Sequence, residues 1–149
     1  MRDLGIAGVA VHAADDAPAS MADEVVALPG SGPAAYLDVD GLVAIARRSG
    51  CDAVHPGYGF LSERADFARA CAAAGLTFIG ATPEQLELFG DKARARTLAE
   101  ECGVPVLSGS PGAVTLDEAR TFLAEHGALM LKAIGGGGGA RHARRAERG

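Results

Sequence analysis

Apolar residues fall along this chain in short β-branched runs that alternate with stretches of helical period. Residues 8–12 (GVAVH) and 24–28 (EVVAL) are runs of the first kind. From Asp38 the apolar positions Val39, Leu42, Val43 and Ala46 recur at the spacing of one helix face, and Gly50 ends the pattern. Residues 52–55 (DAVH) predict a short buried strand that stops at Pro56. A second helix is expected over 63–74, with Phe67, Ala70, Cys71 and Ala74 on one face and Gly75 beyond its end. The run 76–79 (LTFI) predicts the next strand.

Two further helices follow, over 83–89 and 91–102. Pro83 suits a first helical position behind a Thr82 cap. Gly103 sits where a helix C′ residue belongs, and Pro105 prevents continuation. Thr115 and Glu118 have the T-x-x-E spacing of a capping box, before a helix expected to end near Gly127. A last strand is expected over 129–134, running into the consecutive glycines 135–139. Short strands separated by helices imply an α/β fold with a parallel sheet flanked by helices. The glycine- and proline-bearing stretch 108–113 reads as a boundary between a doubly wound domain and the start of a second one.

Composition narrows the class. The 149 residues are 48% hydrophobic and 22% charged, the balance of a globular protein. With no Trp and 5% aromatics, the core must rest on Val, Leu, Ile and Ala. A formal charge of −5 argues against a nucleic-acid partner, whose footprint is basic. No apolar run approaches the roughly 20 residues of a membrane helix, and the first residues lack a secretory pattern. The cytoplasm is the expected address. Cys51, Cys71 and Cys102 show no CxxC spacing and read as small buried hydrophobes in a reducing compartment. His12, His126 and His142 have no mutual ligand spacing and read as structural or surface residues.

Three segments carry candidate chemistry. Residues 55–63 (HPGYGFLSE) follow a strand and precede a helix, the place where open α/β sheets bind ligands. Gly57 and Gly59 allow a sharp turn and close approach, and Tyr58 offers a flat ring and a hydroxyl. A tight connection with a packed tyrosine accounts for the same residues. Lys132 precedes the five glycines; a strand lysine and a glycine loop can surround a polyphosphate with an ammonium and backbone N–H groups. No G-K-[ST] follows, so this is not a Walker A loop, and a plain linker is the competing reading. In Gly90-Asp91-Lys92, Asp91 is a plausible helix N-cap. Lys92 then sits in the first turn, where a cation is mildly unfavourable unless it serves a ligand or solvent.

The ordered series HPGYGFLSE, FIG, GDK, GVPV and K-x-x-GGGGG resembles the N-terminal region of biotin carboxylases, from about Leu4 to Gly139. The resemblance implies a Rossmann-like preATP-grasp domain over 1–107, here without its first strand. The start of an ATP-grasp domain follows over 108–139. It implies that Lys92 and Lys132 contact ATP and that lid glycines Gly138 and Gly139 close on its phosphates. Tyr58 and Gly59 would line the biotin and bicarbonate pocket. The implied reaction makes carboxyphosphate from ATP and bicarbonate, then carboxylates N1 of biotin on a biotin carboxyl carrier protein for a carboxyltransferase. Mg2+ and a homodimer come with the family. A carbamoyl phosphate synthetase large chain, another ATP-grasp ligase, is the alternative, and HPGYGFLSE argues against it.

Three departures bear on activity. The family begins with a strand and an N-R-G-E-I-A turn, so the remaining sheet is expected to have a gap or exposed edges. The family's metal-binding glutamates and its biotin-handling lysine and arginines lie beyond residue 149. The tail 140–149 does not match the family's R-G-M-R-V-V-R. One permitted back-translation of 140–148, GCG CGG CAT GCG CGT CGT GCG GAG CGC, reads R-G-M-R-V-V-R-S once its first base is dropped. The tail is therefore expected to be an out-of-frame reading or disordered, the codons of His142 and Ala143 being diagnostic. The 149 residues alone are expected to be catalytically inactive, a truncated product that at most binds nucleotide weakly.

Overall fold

Asp38 opens the helix around which the first half of the molecule is built: its carboxylate accepts the Gly41 N–H at 3.0 Å. The computed structural model describes residues 2–18, 21–110, 112–132 and 146–147. It divides into two compact units, Met1–Leu86 and Glu87–Gly149.

In the first unit, strands β1 (Val9–His12) and β2 (Glu24–Ala27) run parallel, with Val9 opposite Glu24 and His12 opposite Ala27. Strands β3 (Ala53–Val54) and β4 (Thr77–Phe78) form a second parallel pair, Ala53 opposite Thr77. The two pairs are not hydrogen-bonded to each other. The expected α/β architecture is therefore present, with its parallel strands in two separate pairs. Helices α1 (Gly32–Ala35), α2 (Val39–Arg48) and α3 (Ala65–Ala73) accompany them.

Helix α2 serves both pairs because its apolar positions span more than one row. Ala46 joins Leu61, Phe67, Cys71 and Leu76 in one buried cluster, against which Val54 and Phe78 pack. Ile45 joins Ala13, Leu28 and Ala35 in the other, with Val11 and Val26. Leu42 packs against both. The core thus rests on aliphatics and alanine, with one aromatic pair: Phe67 and Phe78 meet edge-to-face, centroids 5.8 Å apart.

One expected helix comes out differently. The helix expected over 63–74 is a 3-10 turn, Phe60–Glu63, followed by α3. Arg64 interrupts it in an extended conformation (φ −103°, ψ 113°) and pairs its guanidinium with Asp66. That pairing holds the Asp66 carboxyl below its usual range. Helix α1 is too short to leave a periodic signal.

Helix α4 (Pro83–Gly90) begins as its sequence suggests: the Thr82 hydroxyl accepts the Gln85 N–H at 3.3 Å, and Gln85 accepts the Thr82 N–H at 2.9 Å. The second unit contains α5 (Lys92–Glu101) and α6 (Leu116–His126). The Thr115–Glu118 capping box is formed in both directions, at 3.3 Å and 2.7 Å. The Thr115 backbone N–H, then its hydroxyl, hold the Glu118 carboxyl below its ordinary range. Gly103 and Gly127 end the two helices at φ 71° and 75°, values that favour glycine. Strand β5 (Ala128–Leu129) pairs antiparallel with β6 (Ala146–Glu147). The strand expected over 129–134 is therefore shorter, although Lys132 occupies a bridge position; residues 133 and 134 lie outside the described residues.

The cysteine reading holds fully for one residue. Cys71 is completely buried, and burial pushes its thiol pKa up. Cys51 is half-buried, and Cys102 is exposed. Cys102 is the C-cap of α5, a helix that buries none of its own residues.

Candidate functional site

The segment leaving the carboxyl end of β3 is shaped by its glycines. Gly57 and Gly59 hold φ of 74° and 69°, where a side chain is strained. Gly59 has ψ −162°, a region that belongs to glycine almost alone. The Gly57 N–H donates to Nδ1 of His55 at 3.1 Å, closing a small ring at the start of the loop. The Ser62 N–H donates to the Gly59 carbonyl at 2.9 Å, closing its end. Leu61 plugs into the core at 2% exposure.

Between these anchors Tyr58 projects into solvent at 97% exposure. A packed tyrosine, the bland account of this loop, is therefore excluded. The ring is presented by a constrained backbone at the mouth of a parallel pair, a position suited to meeting a ligand. Two further aromatic residues, Tyr36 and Phe60, belong to the same neighbourhood. Phe60 has φ 50°, and Tyr36 lies against it with ring centroids 5.8 Å apart. The sequence carries no local signal for that contact, because Tyr36 comes from α1, far away along the chain.

The lysines belong to the second unit. Lys92 is the first residue of α5 and half-buried. Ahead of it Asp91 caps the helix, accepting the N–H groups of Ala93 at 2.9 Å and Arg94 at 3.2 Å. The carboxylate at that end offsets the unfavourable placing of a cation against the helix dipole. Lys132 is exposed, three residues past β5. Gly138 and Gly139 lie outside the described residues. Tyr58 and Gly59 thus share one loop of the first unit, and Lys92 and Lys132 share the second unit. Among the described residues no group of three His, Cys, Asp or Glu side chains is placed to hold a metal ion. No described helix is long and apolar enough to cross a membrane.

Comparison with known proteins identifies the family. Residues 1–86 match the biotin carboxylase N-terminal domain. The chain is 46% identical over 143 residues to the biotin carboxylase of Halalkalibacterium halodurans, covering 91% of this chain and 31% of that protein. It superposes on the biotin carboxylase domain of a single-chain bacterial carboxylase with a TM-score of 0.84 and 50% identity, covering 99% of this chain and 33% of that one. It also superposes on the biotin carboxylase domain of the Hydrogenobacter thermophilus 2-oxoglutarate carboxylase, solved as a dimer with MgADP, ADP and bicarbonate. There the TM-score is 0.86 and the identity 38%, over 96% of this chain and 33% of that one. The chain therefore spans about a third or less of the length of these relatives. A match to the family's N-terminal domain over residues 1–86, with 46% identity to a biotin carboxylase over 91% of the chain, places the chain in the biotin carboxylase family.

Proposed function

We propose that this chain supplies the nucleotide- and biotin-facing beginning of the biotin carboxylase component of a biotin-dependent carboxylase. In that reaction ATP and bicarbonate give carboxyphosphate, and N1 of biotin on a carrier protein is then carboxylated. The observation that carries the reading is the loop 55–60, whose glycine conformations leave Tyr58 exposed beyond β3. Tyr58 and Gly59 line the bicarbonate and biotin pocket. Lys92 and Lys132 place ammonium groups against the phosphates of ATP, and Gly138 and Gly139 bring backbone N–H groups over them. Fixed cations and oriented dipoles stabilise charge on a transferring phosphoryl group without reorganising.

The described residues do not fit a Mg2+ site, since they bring no group of three His, Cys, Asp or Glu side chains together. The partners in this reading are the carrier protein, a carboxyltransferase and a second biotin carboxylase subunit, in the cytoplasm. We further infer that residues 1–107 are the preATP-grasp domain and 108–139 the start of the ATP-grasp domain. Residues 140–149, most of which lie outside the described residues, are read as an out-of-frame tail.

The 149 residues alone bind without turning over. The isolated chain, given ATP, Mg2+, bicarbonate and free biotin, is expected to release no phosphate above the bicarbonate-free control. Bicarbonate-dependent release that scales with chain concentration contradicts this.

A further inference from the structure

We infer that Tyr36 is the positioning residue of the loop 55–60: its ring holds Phe60 in a left-handed conformation, and its hydroxyl fixes that ring to the turn after β1. The inference rests on reading Tyr58 and Gly59 as pocket residues, and it adds what holds them in place.

Phe60 is the starting point. At φ 50° it is the one non-glycine residue with positive φ among those described. A bulky side chain there is a true outlier, and such strain persists only where surrounding contacts over-determine it. Leu61 holds the following residue in the core. On the ring itself, Tyr36 supplies the aromatic contact, tilted at 36°. Phe60 remains 53% exposed, so core packing does not hold it.

Tyr36 is fixed in turn from the other side. Its hydroxyl accepts the N–H of Ala13 at 2.9 Å and donates to Asp16 at 2.5 Å. Ala13, immediately after β1, is fully buried. Asp15 accepts the Gly32 N–H at 2.7 Å, so both ends of α1 are tied to the turn 13–16. The bond to Asp16 pushes the pKa of the phenol above its ordinary value. One side chain thus joins the turns that follow β1 and β3, and it meets the loop at Phe60, two residues after Tyr58. With Tyr58 97% exposed, its direction is set by the loop backbone rather than by packing.

Amide hydrogen exchange on the whole 149-residue chain tests this, comparing wild type with Tyr36→Leu, Tyr36→Phe and Phe60→Ala. The readouts are the Gly57 and Ser62 amides, each divided by the Leu76 amide, which donates to Cys71 in the core. A general loss of stability acts first on the Leu76 amide, which opens with the core, and so leaves the ratios unchanged or lowers them. Tyr36→Leu is expected to raise the ratios about three- to ten-fold. Tyr36→Phe keeps the ring, so the ratios recover most of the way while Ala13 exchanges faster. Phe60→Ala, which removes the ring and keeps the backbone strain, raises the Ser62 ratio as Tyr36→Leu does. Unchanged ratios in Tyr36→Leu overturn the inference; should that variant not fold, an unchanged ratio in Phe60→Ala does so. Bicarbonate titration followed on the Tyr58 ring resonance separates the two readings. Without a response the pocket assignment fails while the exchange ratios still decide the role of Tyr36.

Discussion

Phe67→Ala is expected to lower the unfolding free energy of the first unit by about 3–5 kcal/mol. Phe67 is 3% exposed and lies in the cluster with Leu61, Cys71 and Leu76. Truncation removes the transfer free energy of a buried ring and leaves a cavity that two short strands cannot close. It also removes the edge-to-face contact with Phe78, of a kind worth roughly 0.5–1.5 kcal/mol beyond buried area. A domain of this size has only about 5–15 kcal/mol in total, so the loss is a large share. Urea unfolding followed by circular dichroism measures it. A loss below about 1 kcal/mol, the middle of the range for point substitutions, contradicts the core assignment.

Gly59→Ala is the second large expectation, and its cause is separable. A Cβ built on Gly59 meets nothing within 4 Å, so no clash enters. The whole effect is backbone: φ 69° with ψ −162° is a region that alanine adopts at a cost of roughly 1–3 kcal/mol. Gly90 is the internal control. It also has open space around it, but its φ is not in the positive range, and it sits in the last turn of α4. Gly90→Ala is therefore expected to be neutral or to stabilise by up to about 1 kcal/mol. Equal effects at the two positions, measured by the same urea titration, contradict the loop geometry. The substitution at 59 also bears on function. To relieve the strain the loop must change conformation, which redirects Tyr58.

Much of the fold was legible because its punctuation is chemical. Asp38, Asp91 and the Thr115–Glu118 pair announce helix starts with side chains that satisfy orphan N–H groups. Gly50, Gly103 and Gly127 announce positive φ just past the ends. The break at Arg64 was hidden for the opposite reason. It follows from a strained phenylalanine and an ion pair between neighbours, and neither disturbs the apolar spacing of 63–74. The partner of β5 depends on long-range pairing that periodicity does not encode. Cys102 misleads because residue type carries a burial preference and says nothing of the helix end on which it lies.

The site was legible unevenly. HPGYG could be placed beyond a strand from its own residues, and the exposure of Tyr58 then ruled out the packed turn. Tyr36 was invisible, since its role depends on α1 returning its ring to a loop some twenty residues later. For Lys92 and Lys132 local sequence alone allowed both a phosphate role and a solvated surface role.

We propose that this segment carries working ATP and bicarbonate determinants of a biotin carboxylase. Exchanging residues 4–139 into the matching part of the Halalkalibacterium halodurans enzyme, and measuring bicarbonate-dependent phosphate release from ATP in the presence of biotin, tests this. The hybrid is expected to turn over. Lys132→Ala within the exchanged segment is expected to lower turnover by about 10²-fold or more, the effect of removing one stabilising group from a charged transition state. A folded hybrid without bicarbonate-dependent release, or one indifferent to Lys132→Ala, contradicts it.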